Sequence, residues 1–171
     1  MDRDTTITPA EKAAIERVRA LGIDTRSMSA ISNVFRVANS LRNYSEQNLL
    51  KEFGLSFSGF TVLWVLWVWG PKESHVLAAE SGIAKSTLTG VMKTLQNLGF
   101  ASRMSHPSDR RRVVVTITSS GARIMRKIFP RFNQIEVNAT ADLTKGEKTD
   151  LAHALRVILH TVERQVSRSD S

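Results

Sequence analysis

Between residues 73 and 118 the hydrophobic period changes. Two short helical stretches, about Glu73 to Glu80 and about Lys85 to Asn97, are separated by Ser81-Gly82. Leu77, Ala78, Ile83, Leu88, Val91, Leu95 and Leu98 supply one apolar face at helical spacing, and Gly99 ends the second stretch. From Phe100 to Thr118 the pattern alternates instead: Val113, Val115 and Ile117 fall on one face, Val114, Thr116 and Thr118 on the other. His106-Pro-Ser-Asp109 in the middle is turn chemistry. A helix-turn-helix followed by a β-hairpin is the arrangement this pattern predicts.

Charge is concentrated on the same segment. Lys85, Lys93, Arg103, Arg110, Arg111 and Arg112 face a single acid, Asp109, in a chain whose net charge is +8. The second helix divides cleanly. Leu88, Val91, Leu95 and Leu98 face a core, while Lys85, Ser86, Thr89, Gly90 and Lys93 fall opposite, with Thr87 beside them. Hydroxyls and lysines can contact bases or phosphates from a helix in the major groove, and a thin basic hairpin can reach the minor groove. The plain alternative is a solvated surface. Gly90 costs an exposed helix about 1 kcal/mol, which either a close approach to DNA offsets or the helix simply tolerates.

The flanks are helical. Thr8-Pro-Ala-Glu11 carries a cap, a proline at the first helical position and an acid completing a capping box, so a short amphipathic arm with Ile15, Val18 and Leu21 should end at Gly22. Met28, Ile31, Val34, Phe35, Ala38, Leu41, Leu49 and Phe53 predict a long helix from about Arg26 to Phe53, stopped by Gly54. Ser58 to Gly70-Pro71 bounds a run from Phe60 to Trp69 that suits a buried strand or a helix; its length and caps favour a helix. Two helices finish the chain. One starts near Ser120 with a kink expected at Pro130. The other is capped by Thr144 and Glu147, with Leu151, Leu155, Ile158, Val162 and Val166 as its stripe. Residues 167–171 should fray.

The segment from Gly82 to Phe100, with Asp109-Arg-Arg-Arg-Val-Val-Val-Thr-Ile-Thr-Ser-Ser-Gly121, resembles the recognition helix and wing of the MarR family. The resemblance is specific from about Glu73 to Gly121 and pattern-level for the long helices; the arm 1–22 lies outside it. It implies a mainly α fold with a small β-hairpin wing: a winged helix-turn-helix domain with a helical dimerisation region. The expected organisation is an arm at 1–22 and a MarR-type domain at 26–166, with a DNA-binding lobe at about 56–121 and dimerisation helices at about 26–54 and 120–166. It further implies a homodimer that binds an inverted repeat in double-stranded DNA, usually represses transcription, and lets go on binding a small molecule. Arg111, two places after Asp109, would enter the minor groove, with Asp109 orienting an arginine; Arg103, Arg110 and Arg112 would contribute alongside. One departure is Ala84, where the family commonly has a Ser or Thr cap; the cap shifts to Ser86 or is lost.

An effector site is expected at the junction of the long helices and the DNA-binding lobe. All three tryptophans, Trp64, Trp67 and Trp69, lie on the helix just before the helix-turn-helix. A helix apolar nearly all round is ordinarily core; the resemblance makes Trp64 and Trp67 pocket candidates, with Phe35, Asn39, Arg42 and Tyr44 on the preceding helix. A small aromatic or hydrophobic anion, its charge met by Arg42, is the ligand this predicts.

Other functions lack support. There is no cysteine, so disulfides, thiolate metal sites and thiol redox sensing are excluded, and a reducing cytoplasm is favoured. His75, His106, His153 and His160 form no ligand pattern, so no metal or other cofactor is expected. No hydrolase, P-loop or zinc-protease motif is present, which gives no reason to expect an enzyme. The N-terminus lacks an apolar signal core and the longest apolar run, Val62 to Trp69, is too short to span a bilayer, so no signal peptide or membrane-spanning helix is expected, and the leading reading has no membrane partner. The rival readings are a non-specific architectural nucleic-acid-binding protein and a basic module for an anionic protein or membrane.

Overall fold

The computed structural model describes residues 7–106 and 109–169, and the side chains of all of these except 105, 106, 109–112 and 169. Among the described residues, seven helices and three strands follow in the order α1 (Pro9–Val18), α2 (Thr25–Asn48), α3 (Phe57–Trp69), β1 (Lys72–Glu73), α4 (Ser74–Glu80), α5 (Lys85–Asn97), β2 (Ala101–His106), β3 (Asp109–Ile117), α6 (Ser119–Ala139) and α7 (Lys145–Ser169). Short 3-10 turns, Arg19–Leu21 and Leu50–Phe53, extend α1 and α2.

Capping chemistry sets most boundaries. Thr8 Oγ1 accepts from the Glu11 amide at 3.2 Å, but the Glu11 carboxylate does not close the box. It accepts instead from Asn33 Nδ2 at 3.1 Å, tying α1 to α2. Thr144 and Glu147 do make the reciprocal box, with both backbone amides bonded. Ser56, not Ser58, caps α3, its hydroxyl accepting from the Gly59 amide at 3.1 Å. Asp24 caps α2 through the amides of Arg26 and Ser27.

The long second helix stops earlier than its pattern suggests. Asn48 Nδ2 donates to the Tyr44 carbonyl at 2.8 Å, Leu49 leaves helical geometry, and the following turn sinks both Leu49 and Leu50 into the core. Gly54 then reverses the chain at φ 69°, where a side chain would be strained.

The core gathers around α3. Phe60, Val62, Leu63, Val65 and Leu66 are buried against Leu77 and Ala78 of α4, Leu88, Met92 and Leu95 of α5, Val115 of β3, and Met125 and Ile128 of α6. Contact on several sides explains why α3 is apolar nearly all round. Two details depart from the pattern. Met92 is fully buried, whereas Leu98, expected inside, is 37% exposed, and Val91 is half-buried.

Strand order is β1-β3-β2, all antiparallel. The hairpin pairs Ala101 with Ile117 and Arg103 with Val115, and its register shifts between Ser105 and His106. Pro107 and Ser108, the expected turn, lie outside the described residues. β1 was not expected: Glu73 pairs with Val114 in a strand rather than opening the helix, which starts at Ser74. Ser74 Oγ reinforces the junction by donating to the Val113 carbonyl at 3.3 Å.

Sheet and α6 meet in one knot. Thr118 caps α6 through the Gly121 amide, its hydroxyl also donates to the Gly99 carbonyl at 2.7 Å, and its amide donates to the Phe100 carbonyl at 3.0 Å. Gly121 is buried beneath this crossing. The Thr-x-x-Gly spacing after β3 thus fastens the hairpin to the next helix. Pro130 lies inside α6, where it removes the amide that would bond to the Arg126 carbonyl. Helix α7 continues through Ser167 and Arg168, residues expected in a frayed tail.

Most of α2 and α7 stand clear of this core. Phe35 and Val37 of α2, and Leu151, Leu155, Val162 and Val166 of α7, are exposed in a single chain. Among the described residues, no helix is long and apolar enough to cross a membrane.

Candidate nucleic-acid interface and adjoining cleft

Helices α4 and α5 are joined through Gly82, whose φ of 63° permits the tight reversal, and the Ile83 amide closes it on the Ala78 carbonyl at 3.1 Å. Leu88, Met92 and Leu95 anchor the inner face of α5. Its outer face is therefore fixed in orientation. Lys85, Ser86, Thr87, Thr89, Gly90 and Lys93 are all exposed on it.

No side chain caps α5. Ala84 occupies the cap position without a side-chain hydrogen bond, so of the two expected outcomes, a shift to Ser86 or loss of the cap, the cap is lost. First-turn amides of Lys85, Ser86 and Thr87 point from the positive end of the helix dipole. Thr89 Oγ1 and Thr94 Oγ1 bond back to the Lys85 and Gly90 carbonyls, both at 3.4 Å. Nothing lies within 4 Å of where a Cβ on Gly90 would sit, so packing within this chain does not require glycine there.

Asp109, Arg110, Arg111 and Arg112 lie in β3, but their side chains are outside the described set. Arg103 differs from the other basic candidates. It pairs with Val115 on the sheet face that holds Ala101, and its Nε is buried without a hydrogen-bond partner.

A second feature lies between α3 and α6. A cleft of about 370 Å³ is lined by Phe57, Phe60, Thr61, Trp64, Phe129, Phe132 and Glu136. Its walls are packed rings: Trp64 stacks on Phe129 at 4.4 Å and 19°, and Phe60 meets Phe132 at 4.5 Å with the planes tilted by 34°. Trp67 packs behind, 5.8 Å from Trp64 and 5.9 Å from Phe129. Of the expected pocket residues, only Trp64 is in the lining. Arg42 is adjacent, its guanidinium 5.5 Å over the Phe57 ring. Phe35, Asn39 and Tyr44 are exposed on α2 and do not line the cleft.

The α6 wall was not among the expected pocket residues. The readable signal was Phe129, Phe132 and Glu136 at spacings of three and four, matching Phe57, Phe60, Thr61 and Trp64 on α3. Among the described residues, no group of three or more His, Asp or Glu is placed to hold a metal ion.

The MarR family model matches residues 55–113. An uncharacterized HTH-type transcriptional regulator of Bacillus subtilis strain 168, YwaE, is 34% identical over 157 residues, covering 88% of this chain and 92% of its own. The fold superposes on BpsR of Bordetella bronchiseptica, whose structure addresses regulation of DNA binding by 6-hydroxynicotinic acid. The TM-score is 0.70 at 22% identity, covering 76% of this chain and 98% of that one. It also superposes on Staphylococcus aureus MepR in complex with DNA, with a TM-score of 0.68 at 19% identity over 76% and 96% of the two chains. At those identities the two structures speak to the fold.

Proposed function

This chain belongs to the MarR family of winged helix-turn-helix transcriptional regulators, and from that premise we propose that it is a dimeric, sequence-specific double-stranded DNA-binding repressor controlled by a small molecule. The observation that carries the reading is the division of α5. One face is locked into the core by Leu88, Met92 and Leu95, and the other offers six exposed candidates beside a strand bearing three consecutive arginines.

In this reading residues 56–121 form the DNA-binding lobe. Lys85, Ser86, Thr87, Thr89, Gly90 and Lys93 meet the major groove, and Arg110, Arg111 and Arg112 meet phosphates or the minor groove. Arg103 acts at the hairpin base. Residues 26–54 and 120–166 pair with those of a second copy, which explains apolar side chains left exposed on α2 and α7. The arm at 1–22 extends that region. Two-fold pairing would set the recognition helices about one DNA turn, roughly 34–36 Å, apart. The workplace is the cytoplasm, and the chain is not an enzyme.

The effector is a small aromatic or hydrophobic molecule in the cleft between α3 and α6. In this reading α3 belongs to the core of the lobe and α6 to the long helices, so a ligand between them that favours one relative arrangement shifts the population away from the DNA-competent one.

The test uses duplexes from the promoter beside the gene, which such regulators often control. Arg111→Ala should weaken binding to all sequences and reduce the salt slope by about 1, as loss of one phosphate-directed charge does. Lys93→Ala or Thr89→Ala should change the preferred sequence. Equal affinity for every duplex would instead support a non-specific architectural protein.

A further inference from the structure

We propose that the cleft between α3 and α6 selects a planar organic cation, such as a protonated aromatic amine or a quaternary nitrogen heterocycle, with Glu136 as the counter-charge. The proposal rests on the reading of this cleft as an effector site and names the class of ligand.

The lining carries one ionisable side chain. Five rings, Phe57, Phe60, Trp64, Phe129 and Phe132, surround it, with the Thr61 hydroxyl and the Glu136 carboxylate as its polar groups. The Thr61 hydroxyl is committed as a donor to the Phe57 carbonyl at 3.0 Å. Glu136 accepts from Asn133 Nδ2 at 2.9 Å, a neutral partner that leaves its charge in place. No described Lys or Arg forms an ion pair with it.

Nearby cations do not reverse the sign. Arg131 on the same helix is paired with Glu52, with both guanidinium-to-carboxylate contacts at 2.7 Å. Arg42 is exposed and outside the lining, over the Phe57 ring. Lys148 shares with Glu136 the neighbouring groove between α6 and α7, not this cleft. Glu136 also begins the last turn of α6, where the helix dipole adds negative potential and no basic residue offsets it.

Two physical terms then favour a cation. Ring faces attract positive charge through their quadrupoles, and a carboxylate at the rim supplies a full opposite charge. An aromatic carboxylate would meet the same rings but be repelled by Glu136. The anion expected from Arg42 is therefore disfavoured, because the acid lies in the lining and the arginine does not.

Three probes of similar size separate the classes: N-methylquinolinium, quinoline held neutral at pH 8, and 2-naphthoate. Binding to the full chain is followed by calorimetry and by quenching of Trp fluorescence, with affinity for the promoter duplex measured in the same buffer. The cation should bind at least tenfold more tightly than naphthoate. Glu136→Gln, an exposed isosteric change, should remove that preference while leaving the melting temperature and unliganded DNA binding unchanged. Tighter binding of naphthoate, equal binding of all three, binding of none, or an unchanged preference in Glu136→Gln would each overturn the proposal. If N-methylquinolinium binds through Glu136 but the chain does not bind the duplex, the ligand class stands and the regulator reading fails. If the duplex binds and the cation does not, the reverse holds.

Discussion

Glu52 and Arg131, 79 positions apart, form a two-pronged ion pair with both nitrogen–oxygen distances at 2.7 Å. The pair fastens the turn after α2 to the middle of α6, and the same guanidinium lies 5.8 Å from the centre of the Phe53 ring. It therefore bridges a long outer helix and the helix that forms one wall of the aromatic cleft.

The Arg131 hydrogen bond holds the Glu52 carboxyl below its ordinary range, and Glu52 in turn raises Arg131. A carboxyl with a depressed folded-state pKa contributes stability that is present above its unfolded pKa and lost as pH falls through the folded one. Glu52→Gln should therefore lower the melting temperature near pH 7, by a small amount because the pair is solvent-exposed. The gap from the parent chain should close as pH drops through and below the usual carboxylate range. Melting curves at a series of pH values check this; a gap that widens on acidification contradicts it. High salt should also narrow the gap at pH 7.

Gly121→Ala should be among the most damaging single-methyl additions. A Cβ there would collide with the Phe100 carbonyl oxygen and lie 2.8 Å from Ile117 Cγ1, so the backbone crossing between β3 and α6 must move. Overpacking of this kind costs about 1–3 kcal/mol, and backbone is less able to yield than a side-chain end. Urea unfolding should show a midpoint shift of that size with little change in slope. An unshifted midpoint would mean the crossing is looser than its geometry.

How far the chain explains itself depends on whether a residue's partner is near in sequence. Thr8, Thr144 and Gly54 act within a few positions, and their roles at helix ends are legible. The hairpin alternation is legible too, because Val113, Val115 and Ile117 share a face by period alone. What escapes is pairing over distance. Lys72–Glu73 is only two residues long and becomes a strand because β3 offers it an edge. Met92 displaces Leu98 from the core because the end of α5 turns its last leucine toward Gly54 and solvent. The cleft needed α3 and α6 to be placed side by side. Trp64 was recoverable as an aromatic at a helix junction, but Glu136, seventy-two positions later, looks like any surface acid until Phe129 and Phe132 are seen facing α3.

The exposed stripe on α7 provides a test of assembly. Leu155 and Val162 are 39% and 49% exposed in one chain, values that suit an interface better than a free surface. A Leu155→Glu/Val162→Glu variant should run as a monomer in light scattering at micromolar concentration, keep its helical circular dichroism, and bind an inverted-repeat duplex at least tenfold more weakly. A parent chain that is itself monomeric, with or without DNA, would remove the two-fold arrangement proposed for the recognition helices.

Gly90 separates folding from recognition most cleanly. It is exposed in the middle of α5, and among the described residues no atom beyond the adjoining helix backbone lies within 4 Å of the position a Cβ would take. Replacing an exposed helical glycine with alanine stabilises a helix by about 1 kcal/mol. Gly90→Ala should therefore raise the denaturation midpoint. If glycine is there so that the α5 backbone can approach DNA closely, the same variant should bind its duplex more weakly, with the salt slope unchanged because no charge is lost. A more stable protein with weaker binding is the expected result, measured by urea unfolding and by anisotropy titration at two salt concentrations. If the variant is more stable and binds equally well, the backbone at Gly90 does not approach the duplex, and the reading face narrows to the side chains of Lys85, Ser86, Thr87, Thr89 and Lys93.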